Sequence, residues 1–245
     1  VYIYKEILHI MKKTAKFALV KTIPIFLGYI FLGIAFGLLL QKSGLGVLWA
    51  FLISALVYAG SMQFALVGIL TGGLSYITTA VMTLFINSRH AFYGLTFIER
   101  FKEMKKAYPY MVFSLTDETY SLLCSMARPA DFTDREWKQA TFFVSLFDQC
   151  YWVLGSVLGA LMGELIKFDT TGIDFAMTAL FVVICVDQWK AARTHIPAMT
   201  GFICGALFLM LIRTSNFILP ALAATVAILL FLRRTVEQKM EDNNP

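Results

Sequence analysis

Charge is what this sequence has least of. Only 15% of its 245 residues are charged and 58% are hydrophobic, whereas a soluble domain keeps about a quarter of its residues charged. Between Ser43 and Ser88 there is no Asp, Glu, Lys or Arg. Such a chain cannot cover itself with a solvated surface, which excludes an ordinary soluble domain. The apolar residues lie in long runs, and this pattern predicts an all-α, polytopic integral membrane protein.

Several chemical motifs are missing as well. The cysteines stand singly, without a C-x-x-C pair, so neither a disulfide framework nor a zinc site is predicted; they are Cys124, Cys150, Cys185 and Cys204. No G-x-x-x-x-G-K-[ST] loop occurs in the sequence, so an ATP-driven pump is not supported. We expect no catalytic residue, no metal and no cofactor, and we do not predict an enzyme.

The basic residues lie between the apolar runs rather than in one long patch. The net charge of +5 therefore indicates contact with anionic lipid surfaces and not with nucleic acid. Residues 1–21 are lysine-rich, with isoleucines at helical spacing opposite the lysines, and this predicts an interfacial segment. We expect a single transmembrane domain over 22–235 and a polar tail over 236–245.

At about 20 residues per crossing, the apolar runs predict eight spans, and seven is the alternative. The spans are 22–41, 46–71, 74–98, 110–127, 139–163, 174–190, 196–212 and 215–232. The fourth and sixth contain acidic residues, so either is expected to be short or partly re-entrant.

The distribution of lysine and arginine predicts a cytoplasmic N-terminus. With eight crossings, more basic residues lie inside than outside, but the basic loop Arg100–Lys106 falls on the outside. If the second apolar run did not cross fully, that loop would move inside, although the overall excess would shrink. We predict eight crossings, although this number places the basic loop on the side that basic residues usually avoid.

Three pairs of short stretches suggest an internal repeat, because they occur in the same order in both halves. The pairs are IFLGIAFG (30–37) with WVLGSVLG (152–159), QFALVGIL (63–70) with DFAMTALF (174–181), and AVMTLFI (80–86) with PAMTGFI (197–203). The first pair shares the Gly-xxx-Gly spacing that lets helices approach closely. Chance similarity of short apolar stretches is the alternative.

Charged residues inside the predicted spans are the candidate functional residues, because each costs about 3 kcal/mol at bilayer depth. They are Arg89, His90, Asp117, Glu118, Asp148 and Asp187. Arg89 stays protonated, so a carboxylate must compensate it, and Asp117 or Glu118 is the nearest in sequence. A purely structural ion pair is the alternative for Arg89.

One fixed positive charge faces four carboxylates in these spans. Since burial and like-charged neighbours both disfavour ionisation, at least one acid is expected to be protonated or to titrate near neutral pH. A membrane-embedded acid that exchanges a proton is typical of a proton-coupled carrier. His90 is a second titratable candidate, with a packing histidine as the alternative.

The second predicted span contains a helix-weakening group, Gly60, Ser61 and Gln63. Broken transmembrane helices have this composition, and the freed helix N-terminus can hold a substrate carboxylate. Close packing through small residues is the alternative. Asn87 and His90 share a helix face. With two of the acids, Asp117 and Asp148, they are predicted to form a polar cavity near the midplane that suits a small zwitterion with an apolar body.

The chain resembles the AzlC family of branched-chain amino acid permeases. The resemblance rests on YAGSMQFALVG (58–68), NSRHAFYG (87–94), TDETYSL (116–122), FDQCYWVLGSVLG (147–159) and DFAMTALFVVICVDQWK (174–190). It implies an exporter of branched-chain and related hydrophobic amino acids in the bacterial inner membrane, including toxic analogues such as azaleucine. It also implies a small AzlD-like membrane partner. The family pattern brings no assigned mechanism.

Three other functions are weighed against transport of amino acids. An intramembrane hydrolase would use Ser61, His90 and Asp117 as a triad, but no G-x-S-x-G elbow accompanies the serine. An ion channel would need a selectivity filter or an acidic ring, and nothing in the sequence resembles either. A non-transporting membrane subunit is the third alternative.

Overall fold

The computed structural model describes most of the chain. The described residues are 2–73, 75–165, 194–212 and 217–235, with Val182, Cys185, Val186, Trp189, Lys190, Ala192 and Gln238. Asp187 and most of the sixth predicted span lie outside them. All regular structure within the described ranges is helical, which confirms the all-α prediction. The helices are α1 (Tyr2–Lys42), α2 (Val47–Leu56), α3 (Gly60–Gly72), α4 (Tyr76–Lys102), α5 (Tyr108–Phe113), α6 (Asp117–Ser125), α7 (Asp134–Leu165), α8 (Ile196–Ile212) and α9 (Ile218–Phe231), and Lys105–Ala107 forms a 3-10 turn.

The chain divides into two compact units. Unit 1 contains Val1–Leu74 and Thr83–Asp174, and unit 2 contains Ser75–Met82 and Phe175–Pro245. In unit 2, α8 packs against α9. The first residues of α4 belong to unit 2, and the helix continues into unit 1. The predicted acids of the described chain all lie in unit 1.

Many large apolar side chains of the described helices are exposed, and several polar side chains are buried. Two of them are long and apolar enough to cross a membrane, Leu8–Lys42 within α1 and Asp134–Leu165. Phe31 on α1 is 75% exposed, whereas Asp148 and Gln63 are fully buried. Apolar side chains outside and polar side chains inside are expected when the surrounding solvent is lipid.

The central element of unit 1 is the pair of long helices α1 and α7, which run in the same direction. Lys13 of α1 lies 3.1 Å from Glu136 near the start of α7. At the other ends, a Cβ on Gly163 of α7 would lie 3.2 Å from the Gln41 side chain of α1. Residues 2–21 continue into the predicted first span without a break. If both helices cross, their parallel directions require an odd number of crossings between them.

Glycines bring α1 and α7 into backbone contact, as their Gly-xxx-Gly spacing predicts. A Cβ on Gly37 would lie 2.0 Å from the carbonyl oxygen of Ser156. A Cβ on Gly159 would lie 2.1 Å from the carbonyl oxygen of Ile34. Side chains cannot occupy such positions, so the predicted close approach is confirmed. The predicted duplication of the chain stays a prediction.

Helices α2 and α3 form a hairpin that we call the first hairpin (residues 47–72). α2 packs along α7 from its C-terminal end toward its middle. There the carbonyl of Ala55 accepts a hydrogen bond from Gln149 of α7 (3.0 Å). α3 then returns toward the C-terminal end of α1, where the rings of Phe64 and Phe36 are 5.7 Å apart. The ten residues of α2 rise about 15 Å, which is half of the hydrocarbon thickness.

Helices α5 and α6 form a second hairpin (residues 108–125), which enters from the opposite end of unit 1. α5 rises along α7 until the hydroxyl of Tyr110 donates to Gln149 (2.8 Å). α6 starts beside Asp148 and returns toward Arg100, which interacts with Cys124. The two tips meet, because the rings of Tyr58 and Phe113 are 6.2 Å apart.

Helix α4 runs antiparallel to α1 and passes both hairpins. Ile86 packs against buried residues of the first hairpin. Tyr93 stacks on Tyr120 of the second hairpin at 4.4 Å. Phe101 joins Ala18 of α1 in a buried cluster. The end of α4 therefore lies at the N-terminal end of α1.

One predicted crossing and the position of one loop need correction. Neither 46–71 nor 110–127 is a single crossing helix, because each run breaks and folds back. The prediction of a full span is wrong for 46–71, whereas 110–127 was expected to be short or partly re-entrant. Consequently the basic loop Arg100–Lys106 lies beside the start of α7, where Glu103 is 2.8 Å from Lys138. Eight crossings had placed this loop opposite the N-terminal lysines, and the structure places it on their side.

Candidate functional site

The first hairpin turns at Val57–Ala59, directly before the predicted helix-weakening residues. Tyr58 has φ +42°, in the left-handed region that L-residues rarely adopt, and its side chain is buried. Gly60 begins α3 against Trp152, whose ring would lie 3.3 Å from a Cβ on the glycine. The second apolar run breaks here, which agrees with the broken-helix interpretation, one of the two left open by the sequence. Ser61 lies half-buried in the first turn of α3.

Gln63 is fully buried and joins three helices. Its side-chain oxygen accepts a hydrogen bond from the indole nitrogen of Trp152 on α7 (2.9 Å). Its side-chain nitrogen donates to Ser54 on α2 (3.2 Å). The same glutamine that sequence analysis places in the binding site therefore fastens the two arms of the first hairpin to α7.

The second hairpin turns at Ser114–Thr116. Thr116 is the N-cap of α6, and its hydroxyl oxygen accepts from the backbone N–H of Thr119 (3.3 Å). Asp117 and Glu118 occupy the first turn, where the helix dipole favours negative charge. This local sequence explains why the helix restarts after the break.

A continuous chain of side-chain oxygens connects Glu118 to Asp148. The hydroxyl of Tyr29 on α1 donates to Glu118 Oε2 (2.8 Å) and lies 2.6 Å from the Thr116 hydroxyl. The Thr116 and Thr119 hydroxyls are 3.1 Å apart. Thr119 donates to Asp148 Oδ2 at 2.7 Å. Three helices thus meet through this chain: α1, α6 and α7.

Asp148 is the most enclosed acid of the described chain. It is fully buried, and its second oxygen, Oδ1, has no hydrogen-bond partner among the described residues. Glu118, Tyr58, Tyr110 and Tyr29 interact with it electrostatically. A buried acceptor without a donor is costly, so Oδ1 is suited to a proton or to a cationic group.

Helix α4 places Asn87, Arg89 and His90 between the two hairpins. His90 is half-buried and its ring lies edge-on to Tyr93 at 5.9 Å. Tyr93 in turn stacks on Tyr120, three residues after Asp117 in α6. Arg89 lies within α4, but its side chain is outside the described part of the structure. Its predicted pairing with a carboxylate therefore stays a prediction.

An ionic cluster at the N-terminal end of α7 was not predicted from the sequence. Its recognisable part is the capping box Thr133-x-x-Glu136, which marks the start of a helix. Glu136 accepts from the backbone N–H and from the hydroxyl of Thr133 (both 2.8 Å). Lys13 bonds Glu136 and Asp131 (both 3.1 Å). The Thr133 donors, together with Lys13, lower the pKa of Glu136 to about 2. This cluster precedes the apolar part of both helices.

Four residues of the candidate site were also missed by sequence reasoning. Thr116 and Thr119 are recognisable as a capping threonine and its neighbour in TDETYSL. Tyr29 and Tyr58 carry no comparable signal, since the chain has ten tyrosines. Among the described residues, no group of three or more His, Cys, Asp or Glu could hold a metal ion.

Comparison with known proteins supports the resemblance. The family described as AzlC protein matches residues 24–166. The branched-chain amino acid transport protein AzlC of Bacillus subtilis (strain 168) is 36% identical over 217 residues, which cover 89% of this chain and 84% of that protein. An uncharacterized membrane protein of Helicobacter pylori (strain ATCC 700392 / 26695) is 35% identical over 94% of this chain and 100% of its own. The inner membrane protein YgaZ of Escherichia coli (strain K12) is 27% identical over 76% and 77%. No solved structure matches.

Proposed function

Since the chain belongs to the AzlC family, we propose that it exports branched-chain and related hydrophobic amino acids across the cytoplasmic membrane in exchange for protons. Family membership supports a transport role, and a relative of 36% identity is named a branched-chain amino acid transport protein. The direction of transport and the coupling to protons are our proposal.

The observation that carries the proposal is the meeting of two half-length hairpins at a fully buried acid. A polar centre between broken helices is the usual position of a substrate site in secondary transporters. Here the centre contains Glu118 and Asp148, with hydroxyl groups between them. Carboxylates at this depth are costly and mark ion or substrate pathways.

The site residues have complementary roles in this proposal. Asp148 Oδ1 or Glu118 receives the substrate ammonium group or the coupled proton. The N-terminus of α3, at Gly60 and Ser61, favours the substrate carboxylate through its dipole. Arg89 on α4 is the alternative carboxylate ligand. Asn87, His90, Asp117 and Asp187 complete the proposed polar pathway.

The charge distribution supports a cytoplasmic N-terminus. Basic residues gather at the end of unit 1 where α1 and α7 begin; they are Lys12, Lys13, Lys16, Arg100, Lys102, Lys105, Lys106, Arg128, Arg135 and Lys138. An end rich in lysine and arginine faces the cytoplasm. A small AzlD-like membrane protein is the proposed partner.

Flux of labelled leucine into proteoliposomes tests the proposal. We expect a pH gradient across the wild-type vesicles to accelerate leucine flux. Asp148→Asn should reduce the gradient-driven flux at least about tenfold, because it removes the ionisable group at the centre. Thr22→Val is the matched control, since Thr22 is also buried between α1 and α7 but bonds Tyr151 and its own helix. Equal leucine flux with and without the pH gradient would contradict proton coupling.

Two further variants separate the alternatives. Arg89→Ala should abolish leucine flux while the protein stays folded; normal flux would make Arg89 structural. Ser61→Ala should leave flux nearly unchanged if the protein is a carrier. Loss of a hydrolytic activity in that variant would support the hydrolase. Saturable, substrate-specific flux separates a carrier from a channel, and no flux even with the small partner indicates a non-transporting subunit.

A further inference from the structure

We infer that Glu118 and Asp148 share a single proton, which passes between them along the hydroxyl groups of Tyr29, Thr116 and Thr119. This inference rests on the proposed proton-coupled transport and names the path of the proton within it. The geometry that carries it is a row of five oxygen-bearing groups joined by four contacts of 2.6 to 3.1 Å. All four contacts are within hydrogen-bonding distance.

Counting the protons shows why the pair holds one. A hydroxyl has one proton to donate, and an ionised carboxylate has none. With both acids ionised, three hydroxyl protons must serve four oxygen–oxygen contacts, so one contact lacks a proton. A single added proton, on either Glu118 or Asp148, completes all four bonds. A second added proton has no place in the row, because both ends would then be donors.

In the completed row, the four hydrogen bonds can all point toward Asp148 or all point toward Glu118. With Glu118 protonated, each group donates to the next one until Thr119 donates to Asp148. With Asp148 protonated, all four bonds point the other way. Going from the first to the second breaks one O–H bond and forms one at each hydroxyl. Glu118 loses its proton, Asp148 gains one, and the total charge stays constant.

The two ends of the row differ in access. Glu118 is exposed, whereas Asp148 is fully buried. Thr116 and Thr119 are also buried, and Tyr29 is 4% exposed. The row therefore connects an accessible carboxylate to an enclosed one. Its members lie on α1, α6 and α7, so a relative movement of the second hairpin would interrupt it.

Backbone structure holds the middle of the row in place. The Thr116 hydroxyl accepts from the N–H of Thr119 as the cap of α6, which leaves one further acceptor site and one proton for the row. The ring of Tyr29 packs against Trp152 at 5.4 Å. The hydroxyls of Tyr58 and Tyr110 are among the other titratable groups that interact with the row. The charged groups near it are Asp117, beside Glu118 in the first turn of α6, and Arg89 on α4, whose predicted counter-ion is Asp117 or Glu118.

Infrared difference spectroscopy of the purified full chain tests the shared proton without any need for transport. We expect the wild-type protein to show a protonated carboxyl band near neutral pH. The band should be lost in the double variant Glu118→Gln/Asp148→Asn. Thr119→Val and Tyr29→Phe each cut the row and should move the pH midpoint of the band by about one unit or more, whereas Thr119→Ser should titrate like the wild type.

Tyr151→Phe is the matched control for Tyr29→Phe. The Tyr151 hydroxyl also bonds a threonine, Thr22, at 3.1 Å but lies outside the row. Its removal should leave the carboxyl band unchanged. The inference is overturned if the double variant retains the band, or if both cutting variants titrate like the wild type. Thermal melting confirms that each variant is folded.

Leucine flux separates this inference from the proposed function. The cutting variants should lose gradient-driven flux by about tenfold. Normal coupling in these variants, with an active wild type, contradicts the relay and leaves the transporter standing. A wild type without leucine flux that shows the expected carboxyl titration contradicts the proposed function and leaves the shared proton standing.

Discussion

At the scale of single residues, buried polar groups of unit 1 hold helices together. Gln63 and Trp152 illustrate this role, since their hydrogen bond of 2.9 Å connects the first hairpin to α7. Away from water, such a bond is strong, and its loss leaves a group that cannot find another partner.

We predict that Trp152→Phe destabilises the protein by about 1–3 kcal/mol, because the side-chain oxygen of Gln63 loses its donor. Loss of ring area adds to this cost. Thermal melting in detergent measures the effect. Trp49→Phe is the control, since Trp49 is 51% exposed and should melt like the wild type. Equal melting temperatures of the two variants would show that the hydrogen bond between Trp152 and Gln63 does not stabilise the fold.

We predict that Glu136 stabilises the fold in a pH-dependent way. Its pKa falls from 4.5 to about 2 on folding, so its contribution is complete above about pH 5 and is lost as the pH falls toward 2. The difference in melting temperature between wild type and Glu136→Gln should therefore shrink over this range. Glu99→Gln, whose side chain is 89% exposed, should show little difference at any pH. A constant difference for Glu136→Gln would refute the linkage.

The candidate site was predictable where a residue is unusual for its surroundings. Asp148 is recognisable because a carboxylate inside an apolar run demands an explanation. Tyr29 is not, because tyrosine is common in membrane helices and only the fold brings it to Glu118. The sequence also misses the structural use of Gln63, since its partner Trp152 is far away in the chain.

At the scale of helices, glycines at the contact let α1 and α7 pack closely along their length. Gly37 and Gly159 each face a backbone carbonyl of the opposite helix at a distance that excludes a methyl group. The close approach brings backbones into van der Waals contact, which is a main source of helix association in membranes.

We predict that Gly37→Ala destabilises the protein by about 1–3 kcal/mol or more, because the new methyl group overlaps Ser156. The fraction of monodisperse protein after detergent extraction measures the effect. Gly28→Ala is a matched control on the same helix. Its Cβ would meet nothing within 4 Å, so this variant should be neutral or stabilising. Similar behaviour of the two variants would contradict the role assigned to the glycines.

The hairpins show which part of the topology can be predicted from the sequence. Gly60 and the acids at 117–118 indicate where the apolar runs break. Hydrophobicity does not indicate whether the chain then continues or turns back, because both arms of a hairpin are as apolar as a full span. The conflict over the loop Arg100–Lys106 was the available signal, and its basic charge correctly favours the side of the N-terminal lysines.

At the scale of the whole molecule, two half-length hairpins enter unit 1 from opposite ends and meet at the buried acid. This arrangement lets a protein place polar groups at bilayer depth without exposing them to lipid. It also brings most of the basic residues of unit 1 to one end. The proposed transport mechanism depends on this topology, since full crossings would separate the acids from the hairpin tips.

The most direct test is side-specific labelling of single cysteines in intact cells, in a variant without the four native cysteines. Gly46→Cys and Gly72→Cys flank the first hairpin, and Lys105→Cys and Ala127→Cys flank the second; all four positions are exposed. We predict that the first two react from the outside and the last two only from the cytoplasm. Reaction of the two members of either pair from opposite sides would mean a full crossing and would contradict the account.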